Sequence, residues 1–288
     1  MAPSVSPRTL FAAKAAPDSN VLGALLAKGR PLVMGVVNVT PDSFSDGGRF
    51  LDPQSALAHA RRLAAEGADI LDIGAESTRP YGGAVRVPAE EEQARLEPVL
   101  SEVRTIGIPV SIDTMKAHVA AWALDLGAVI VNDVWGLQRD PDMAKIVAER
   151  AAPVIIMHNR DQADPAIDIV AEVTSFFQRS LDIAARAGIR REHIVLDPGV
   201  GFGKTPEQSI TCIARLKTWQ SFGLPLLVGA SRKRFIHSIV QSDPSDRLGG
   251  SLAAHLLAVE NGAAIVRVHD VAPTVQALAV AAAIRRAR

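Results

Sequence analysis

Short apolar runs recur along the chain, and each is followed by a pattern typical of an amphipathic helix. The runs consist mainly of Val, Ile and Leu and lie at 32–37, 70–73, 110–112, 129–131, 154–157, 194–196, 226–228 and 264–268. Because they are continuous rather than alternating, they are typical of strands buried on both faces of a parallel sheet. Eight strand–helix units predict an α/β protein with a (β/α)8 TIM-barrel fold. A doubly wound open sheet is the alternative.

The segments between these runs predict the helices and the extent of the domain. Helical patterns cover 53–66, 88–104, 116–126, 141–149, 166–187, 206–219, 244–261 and 272–287. Glycines such as Gly127 and Gly188 follow these segments, as is typical of helix C-termini. No break in composition interrupts residues 30–288, which we interpret as a single domain. We interpret residues 1–29 as a partly flexible N-terminal extension.

Composition narrows the choice of partners and of cellular location. Hydrophobic residues make up 48% of the chain and charged residues 22%, which is enough for a large core. Lys+Arg and Asp+Glu both number 31, so no net charge favours nucleic acid or an anionic membrane as a partner. No apolar run approaches about 18 residues, and the first 20 residues lack the apolar core of a secretory signal. We therefore expect a cytoplasmic protein, with a weak targeting segment as the alternative.

Polar residues stand where the predicted strands end. They are Asn38, Glu76, Asp113, Asn132, His158, Asp197, Lys233, Arg267 and His269. The C-terminal ends of barrel strands meet at one rim, where such proteins carry their active sites. One polar residue after a strand is commonly a helix cap, but so many converging groups indicate a ligand site.

Residue types at this rim suggest two tasks. Asp113, Asn132 and Asp197 are suited to the donor and acceptor edge of a flat heterocycle. Asn38, Arg267, His269 and Lys233 are suited to an anion such as diphosphate. For Asp133, His158 and Asp270, which also follow predicted strands, a structural role and a role in ligand binding both remain open.

Two loops contain polar, charged and aromatic side chains that a simple connection between elements does not need. Residues 38–48 read Asn-Val-Thr-Pro-Asp-Ser-Phe-Ser-Asp-Gly-Gly, which predicts a binding loop; a turn followed by a helix cap is the alternative. Residues 201–204 read Gly-Phe-Gly-Lys but lack the spacing of a P-loop, so we interpret them as a flexible rim with one exposed aromatic. The single cysteine, Cys212, excludes an internal disulfide and is interpreted as core filler.

Several segments in order along the chain resemble the dihydropteroate synthase family. They are Met34–Gly48, Asp72–Pro80, Ser111–Thr114, Val131–Asp133, Asp197–Lys204, Gly229–Lys233 and Arg267–Val271. The first two are highly specific, and together the segments span roughly 30–275. The resemblance implies a TIM barrel that joins 6-hydroxymethyl-7,8-dihydropterin diphosphate to p-aminobenzoate, releasing diphosphate in folate biosynthesis. It also implies a homodimer.

The resemblance implies roles for individual residues. Asp113, Asn132, Asp197 and Lys233 are similar to pterin-pocket residues, and Arg267 to the residue that lies along the pterin and meets the diphosphate. The remaining matches are Asn38 and His269 for the diphosphate, Asn38 and Asp46 for Mg²⁺, and Phe44, Thr78, Arg79, Pro80 and Phe202 for p-aminobenzoate. A dissociative displacement follows as the expected mechanism, with Asp113, Asp197, Lys233 and Arg267 as its catalytic residues.

Two departures from the family pattern affect the p-aminobenzoate site. Tyr81 follows Pro80 where many members have Gly, and Arg234 follows Lys233 where many have Ser. Two alternatives also stay open at this point. One is a pterin-binding paralogue without turnover, and the other is a barrel that transfers a methyl group from a folate to a corrinoid.

Overall fold

A closed barrel of eight parallel strands forms the centre of the protein. The computed structural model describes residues 20–39, 53–76 and 87–287. The strands pair in chain order, and β1 closes the barrel by pairing with β8. They are β1 Leu32–Asn38, β2 Ile70–Gly74, β3 Val110–Asp113, β4 Ile130–Asp133, β5 Val154–Met157, β6 Ile194–Asp197, β7 Leu226–Val228 and β8 Ala263–Val268. The predicted TIM barrel is confirmed, and the open sheet is excluded by the closure.

Helices surround the barrel and connect its strands. They are α1 Val21–Leu26, α2 Pro53–Ala65, α3 Ala89–Val103, α4 Ala117–Leu126, α5 Met143–Glu149, α6 Ile169–Ala187, α7 Pro206–Ala214, α8 Arg234–Ile239, α9 Leu248–Glu260 and α10 Val271–Arg286. The helical patterns do not include α1 and α8, which are six residues each and too short for a helical period to register, although Lys233 was predicted to open a helix and does precede α8. The helix predicted over 206–219 was too long, because α7 ends at Ala214 and a 3-10 helix follows over Leu216–Phe222.

Local sequence signals account for where the helices begin and end. The Asp168 side chain accepts hydrogen bonds from the backbone N–H groups of Val170 and Ala171 at the start of α6. Gly188 ends the same helix with φ of 83°, a conformation that glycine adopts without strain. No helix in the described part of the chain is long and apolar enough to cross a membrane.

An apolar layer fills the interior of the barrel toward the N-terminal ends of the strands. It consists of Leu32, Met34, Ile70, Ile130, Ile155, Val195, Leu227 and Ile265, all buried. Leu22 and Leu25 of α1 pack against it, so part of the predicted N-terminal extension belongs to the body of the protein. A second apolar cluster, to which residues such as Leu71 and Ile73 belong, packs the strands against the surrounding helices.

Candidate active site

A charged layer lies above the apolar layer, on the same inward faces of the strands. It consists of Asp72, Asp113, Asn132, Asp197 and Arg267. Successive residues of a strand point to opposite faces, so positions two apart share one face. On four strands a member of the charged layer follows a member of the apolar layer by two positions, in the pairs Ile70/Asp72, Ile130/Asn132, Val195/Asp197 and Ile265/Arg267.

Arg267 joins the charged layer across the barrel. Its Nε donates to Asp72 Oδ2 at 2.6 Å, and its Nη2 donates to Asp113 Oδ2 at 2.7 Å. Asn132 Nδ2 donates to the same Asp72 oxygen at 3.0 Å. The structure therefore brings together three predicted site residues, and a buried carboxylate that was assigned no role from the sequence links two of them.

The charged layer shifts the ionisation of its own members. Burial raises the pKa of Asp113 to about 7, although the charge of Arg267 opposes the shift and the charge of Asp72 adds to it. Burial disfavours the charged form of Arg267, yet Asp72 and Asp113 outweigh it, and the pKa of the guanidinium is raised. Arg267 is therefore a permanent cation, whereas Asp113 is poised to gain or lose a proton near neutrality.

Asp197 and Lys233 meet around the loop that follows β6. Asp197 Oδ1 accepts from the Gly199 backbone N–H at 2.7 Å, and Lys233 Nζ donates to the Val200 carbonyl. Burial raises the pKa of Asp197, with Lys233 opposing the shift, and burial lowers the pKa of Lys233 to about 7. Gly199 has φ of 66°, and a Cβ there would lie 1.9 Å from the His158 carbonyl oxygen, so only glycine fits.

A buried ammonium holds the same loop in place. Lys204 is 1% exposed, and its Nζ lies 2.6 Å from His158 Nδ1, 2.9 Å from the Gly199 carbonyl and 3.1 Å from the Phe202 carbonyl. Burial lowers the pKa of His158 to about 2, so the ring is neutral and its Nδ1 accepts from the ammonium. The interpretation of 201–204 as a flexible rim was wrong, because an internal cation organises this turn.

The remaining described site residues lie at the rim. Asn38 is the exposed last residue of β1. His269 follows β8, and its backbone N–H and Nδ1 lie 3.2 and 3.0 Å from the hydroxyl of Ser231. Phe202 is partly buried, and Lys233 Nζ lies 4.4 Å from the centre of its ring. The other predicted residues, Phe44, Asp46, Thr78, Arg79 and Pro80, lie outside the described residues.

Three strand-end residues have partners that account for their positions. Asp133 accepts from the backbone N–H groups of Trp135 and Leu137, which closes the turn after β4. Asp270 pairs with Arg232, which has φ of 57°, and this contact joins the loops after β7 and β8. With His158 bound to Lys204, the geometry gives all three a structural role.

The sequence interpretation missed Asp72, Lys204 and Ser231 as contributors to the site. A signal existed for Asp72, since it is the only charged residue in the strand Ile-Leu-Asp-Ile-Gly and shares the inward face with Ile70. No comparable signal existed for Lys204 or Ser231, because their side-chain partners, His158 and His269, lie 46 and 38 positions away in the sequence. Within the described residues, no group of three or more His, Cys, Asp or Glu side chains could hold a metal ion.

Comparison with known proteins gives one consistent result. Residues 34–269 match the family model described as "Pterin binding enzyme". Dihydropteroate synthase of Bacillus subtilis is 43% identical over 249 residues, covering 86% of each chain. A Xanthomonas albilineans dihydropteroate synthase, solved with 4-aminobenzoic acid, is 46% identical with a TM-score of 0.84, over 89% of this chain and 93% of that one.

A second structure of the Xanthomonas albilineans protein, in complex with 7,8-dihydropteroate, is 44% identical with a TM-score of 0.81 and covers 89% of this chain and 94% of that one. The family model spans residues 34–269, a range that contains all five residues of the charged layer. The chain therefore belongs to the dihydropteroate synthase family of pterin-binding enzymes, transferases of folate biosynthesis.

Proposed function

We propose that this protein condenses 6-hydroxymethyl-7,8-dihydropterin diphosphate with p-aminobenzoate, giving 7,8-dihydropteroate and diphosphate by a dissociative displacement. The observation that carries the proposal is the charged layer, in which buried acceptors and one permanent cation face a common interior. Relatives at 44–46% identity were solved with 4-aminobenzoic acid and with 7,8-dihydropteroate, which are one substrate and the product of this reaction.

The pterin site is proposed to consist of Asp113, Asn132, Asp197, Lys233 and Arg267. Asp113 Oδ1 is buried and has no hydrogen-bond partner among the described residues. Buried polar atoms in proteins are normally paired, so this oxygen is suited to accept an N–H of the heterocycle. Asp197 adds a second buried carboxylate on β6, three strands from Asp113 around the barrel. A heterocycle rich in N–H donors satisfies both.

The diphosphate is proposed to bind Asn38, Arg267 and His269. Asn38 ends β1 and His269 follows β8. These two strands are paired, and Arg267 lies two residues before His269. These groups combine one permanent cation with an amide and an imidazole, a set suited to an anion that must leave after the bond breaks.

Mg²⁺ is proposed to accompany the diphosphate, held by Asn38 and Asp46. The exposed amide of Asn38 fits a metal that prefers oxygen ligands and is bound by one or two protein groups together with substrate phosphates. When bound, such an ion neutralises charge that develops on the leaving diphosphate. The rest of the chemistry depends on the protein's own side chains.

The proposed displacement begins when the C–O bond to diphosphate breaks and its electron pair leaves with the diphosphate. The dihydropterin ring donates density to the exocyclic methylene, and the carboxylates of Asp113 and Asp197 stabilise the resulting cation electrostatically. The neutral arylamine nitrogen then attacks this carbon and loses a proton. Correct positioning of such a weak nucleophile can supply several kcal/mol of the rate enhancement.

The p-aminobenzoate site is proposed to include Phe202 together with Phe44, Thr78, Arg79 and Pro80. Phe202 stands beside Lys233, so the proposed aromatic wall adjoins the proposed pterin site. A substrate ring packed there lies next to the pocket of the heterocycle. This juxtaposition supports transfer between two substrates bound at the same time.

The proposal also includes a homodimer. Leu257 of α9 and Val280 and Ile284 of α10 are more than half exposed, which supports an apolar contact with a second copy. Size-exclusion chromatography with light scattering is expected to give twice the mass of one chain. A monomer at micromolar concentration would contradict this part of the proposal.

Direct assay of the purified protein tests the proposed reaction. We expect equal amounts of dihydropteroate and diphosphate when both substrates and Mg²⁺ are present, and no dihydropteroate when p-aminobenzoate is omitted. Binding of pterin diphosphate without turnover would indicate a pterin-binding paralogue and would contradict the proposal. Methyl transfer from methyltetrahydrofolate to a corrinoid would do the same.

A further inference from the structure

We propose that Asp72 is a positioning residue of the pterin site, which fixes the orientation of the Asn132 amide and the Arg267 guanidinium through one shared oxygen. This inference rests on the proposed function. Asp72 is 0% exposed in the middle of β2. Its Oδ2 accepts from Arg267 Nε at 2.6 Å and from Asn132 Nδ2 at 3.0 Å.

The two partners of Asp72 belong to strands on either side of β2. Arg267 lies on β8 and Asn132 lies on β4, and each strand is two positions from β2 around the closed barrel. One carboxylate oxygen thus ties three strands together at the level of the site. A carboxylate oxygen can accept two hydrogen bonds, so both contacts form without competition.

Asp72 decides which end of the Asn132 amide faces the ligand. An ionised carboxylate only accepts hydrogen bonds, so the amide must direct its NH2 group toward Asp72. The Asn132 carbonyl oxygen then points elsewhere and is presented as an acceptor. Without Asp72 the amide could rotate by about 180° and exchange donor for acceptor, because the two ends have nearly the same shape. Asp72 therefore sets the hydrogen-bond pattern that the heterocycle meets.

Asp72 also fixes the guanidinium of Arg267. Asp72 takes Nε and Asp113 takes Nη2, so the two carboxylates occupy one edge of the planar group. Neither carboxylate takes Nη1, and the plane of the guanidinium is set by contacts at both ends of that edge. A fixed plane is what a cation needs if it is to lie along a flat ring and still reach an anion.

The charge of Asp72 allows a second measurement, the pKa of Asp113. A residue with a purely structural role would leave that pKa unchanged. The groups that act on Asp113 are Arg267, Asp72, Glu92 and Asp133, from β8, β2, α3 and β4. Burial raises the pKa of Asp113 to about 7, and the negative charge of Asp72 contributes to that rise. Removing this charge must lower the pKa, and it also leaves Arg267 paired with Asp113 alone.

Asp69, immediately before the same strand, offers a matched control. It is 3% exposed and pairs with Arg30 at 2.8 Å and Lys28 at 2.6 Å, so it too is a buried carboxylate in an ion pair. It precedes β2, and its ion-pair partners, Lys28 and Arg30, lie outside the charged layer. Loss of its charge disturbs the fold in a comparable way and leaves the proposed site intact.

The test measures pterin diphosphate affinity by calorimetry for the wild type, Asp72→Asn and Asp69→Asn. We expect D72N to bind roughly 10- to 100-fold more weakly, because misplaced binding groups lose affinity on that scale. D69N is expected to bind like the wild type. The KM for p-aminobenzoate should change little in either variant. Equal affinities in D72N and the wild type, or equal losses in both variants, would overturn the inference.

The pH profile of kcat/KM for pterin diphosphate is the second measurement. The limb that rises with pH should move to lower pH in D72N and stay in place in D69N. If D72N does not fold, Asp72→Glu keeps the charge and displaces the oxygen by one methylene. This variant should lose affinity while its rising limb stays in place; wild-type affinity in D72E would overturn the inference. Turnover by the wild type is scored separately, since its absence would contradict the proposed function rather than the role of Asp72.

Discussion

The apolar layer and the charged layer lie on the same strands inside the barrel, but the first contributes to stability and the second to chemistry. The apolar layer has only hydrocarbon and thioether side chains, and α1 covers it from below. The charged layer begins two residues further along four of the strands and contains three buried aspartates. Burial contributes directly to stability in the first layer, whereas in the second layer it penalises charge and shifts pKa values. In this barrel, residues that stabilise the fold and residues that form the proposed site are therefore only two positions apart on one strand.

The comparison predicts the largest functional effect in the charged layer. Asp197→Asn keeps an acceptor for the Gly199 N–H but removes the charge, and it should weaken pterin diphosphate binding on the order of 100-fold, since a buried donor of the ligand loses its ionised partner. Asp133→Asn is the control, because Asp133 is also buried and ends β4 but serves the turn. Calorimetry with equal affinities for D197N and D133N would remove Asp197 from the site.

The apolar layer should give the opposite result. Ile155→Ala leaves a cavity beside Val195, its paired neighbour on β6, and it should lower the free energy of unfolding by about 3 kcal/mol. The kcat/KM for pterin diphosphate of the folded protein should stay within about twofold of the wild type, because no binding group moves. Urea unfolding and steady-state kinetics check the two halves of this prediction. A large kinetic defect would show that the layers are coupled.

A smaller effect is expected from substitution of Lys204, the buried residue that holds the loop after β6. Lys204→Met removes the ammonium that binds His158, Gly199 and Phe202 and leaves buried acceptors unpaired. We expect the KM for p-aminobenzoate to rise roughly 10-fold through displacement of Phe202, with a smaller change in pterin affinity. Lys145→Met, which alters an exposed lysine of α5, is the control for loss of one positive charge. Unchanged p-aminobenzoate kinetics in K204M would separate this lysine from the site.

The smallest expected effect is the dependence of kcat/KM on pH. The proposed site needs Asp113 as a carboxylate, which forms above its raised pKa of about 7, and Lys233 as an ammonium, which persists below its lowered pKa of about 7. The kcat/KM for pterin diphosphate should therefore follow a bell with both limbs near pH 7. A profile that is flat from pH 5 to 9 would indicate that neither group titrates in the catalytic range.

Much of this architecture was predictable from local patterns. The eight strands were located to within one or two residues, because a buried parallel strand is a continuous apolar run and needs no knowledge of its neighbours. No helical period marks the short helices α1 and α8, since six residues do not complete two helical turns. Asn38, Asp113, Asn132, Asp197, Lys233, Arg267 and His269 were selected because strand ends of one barrel share a rim.

The sequence by itself determined the order of the strands and the polar residues that end them, since both are written in neighbouring positions. Only the tertiary structure decided that Asp72, 195 positions from Arg267, pairs with it across the interior, and that Lys204 organises the loop after β6. The physical reason is that hydrophobic periodicity records which face of an element is buried. The partner of a buried charge depends on how the closed barrel brings distant strands together, and a local pattern carries no record of that.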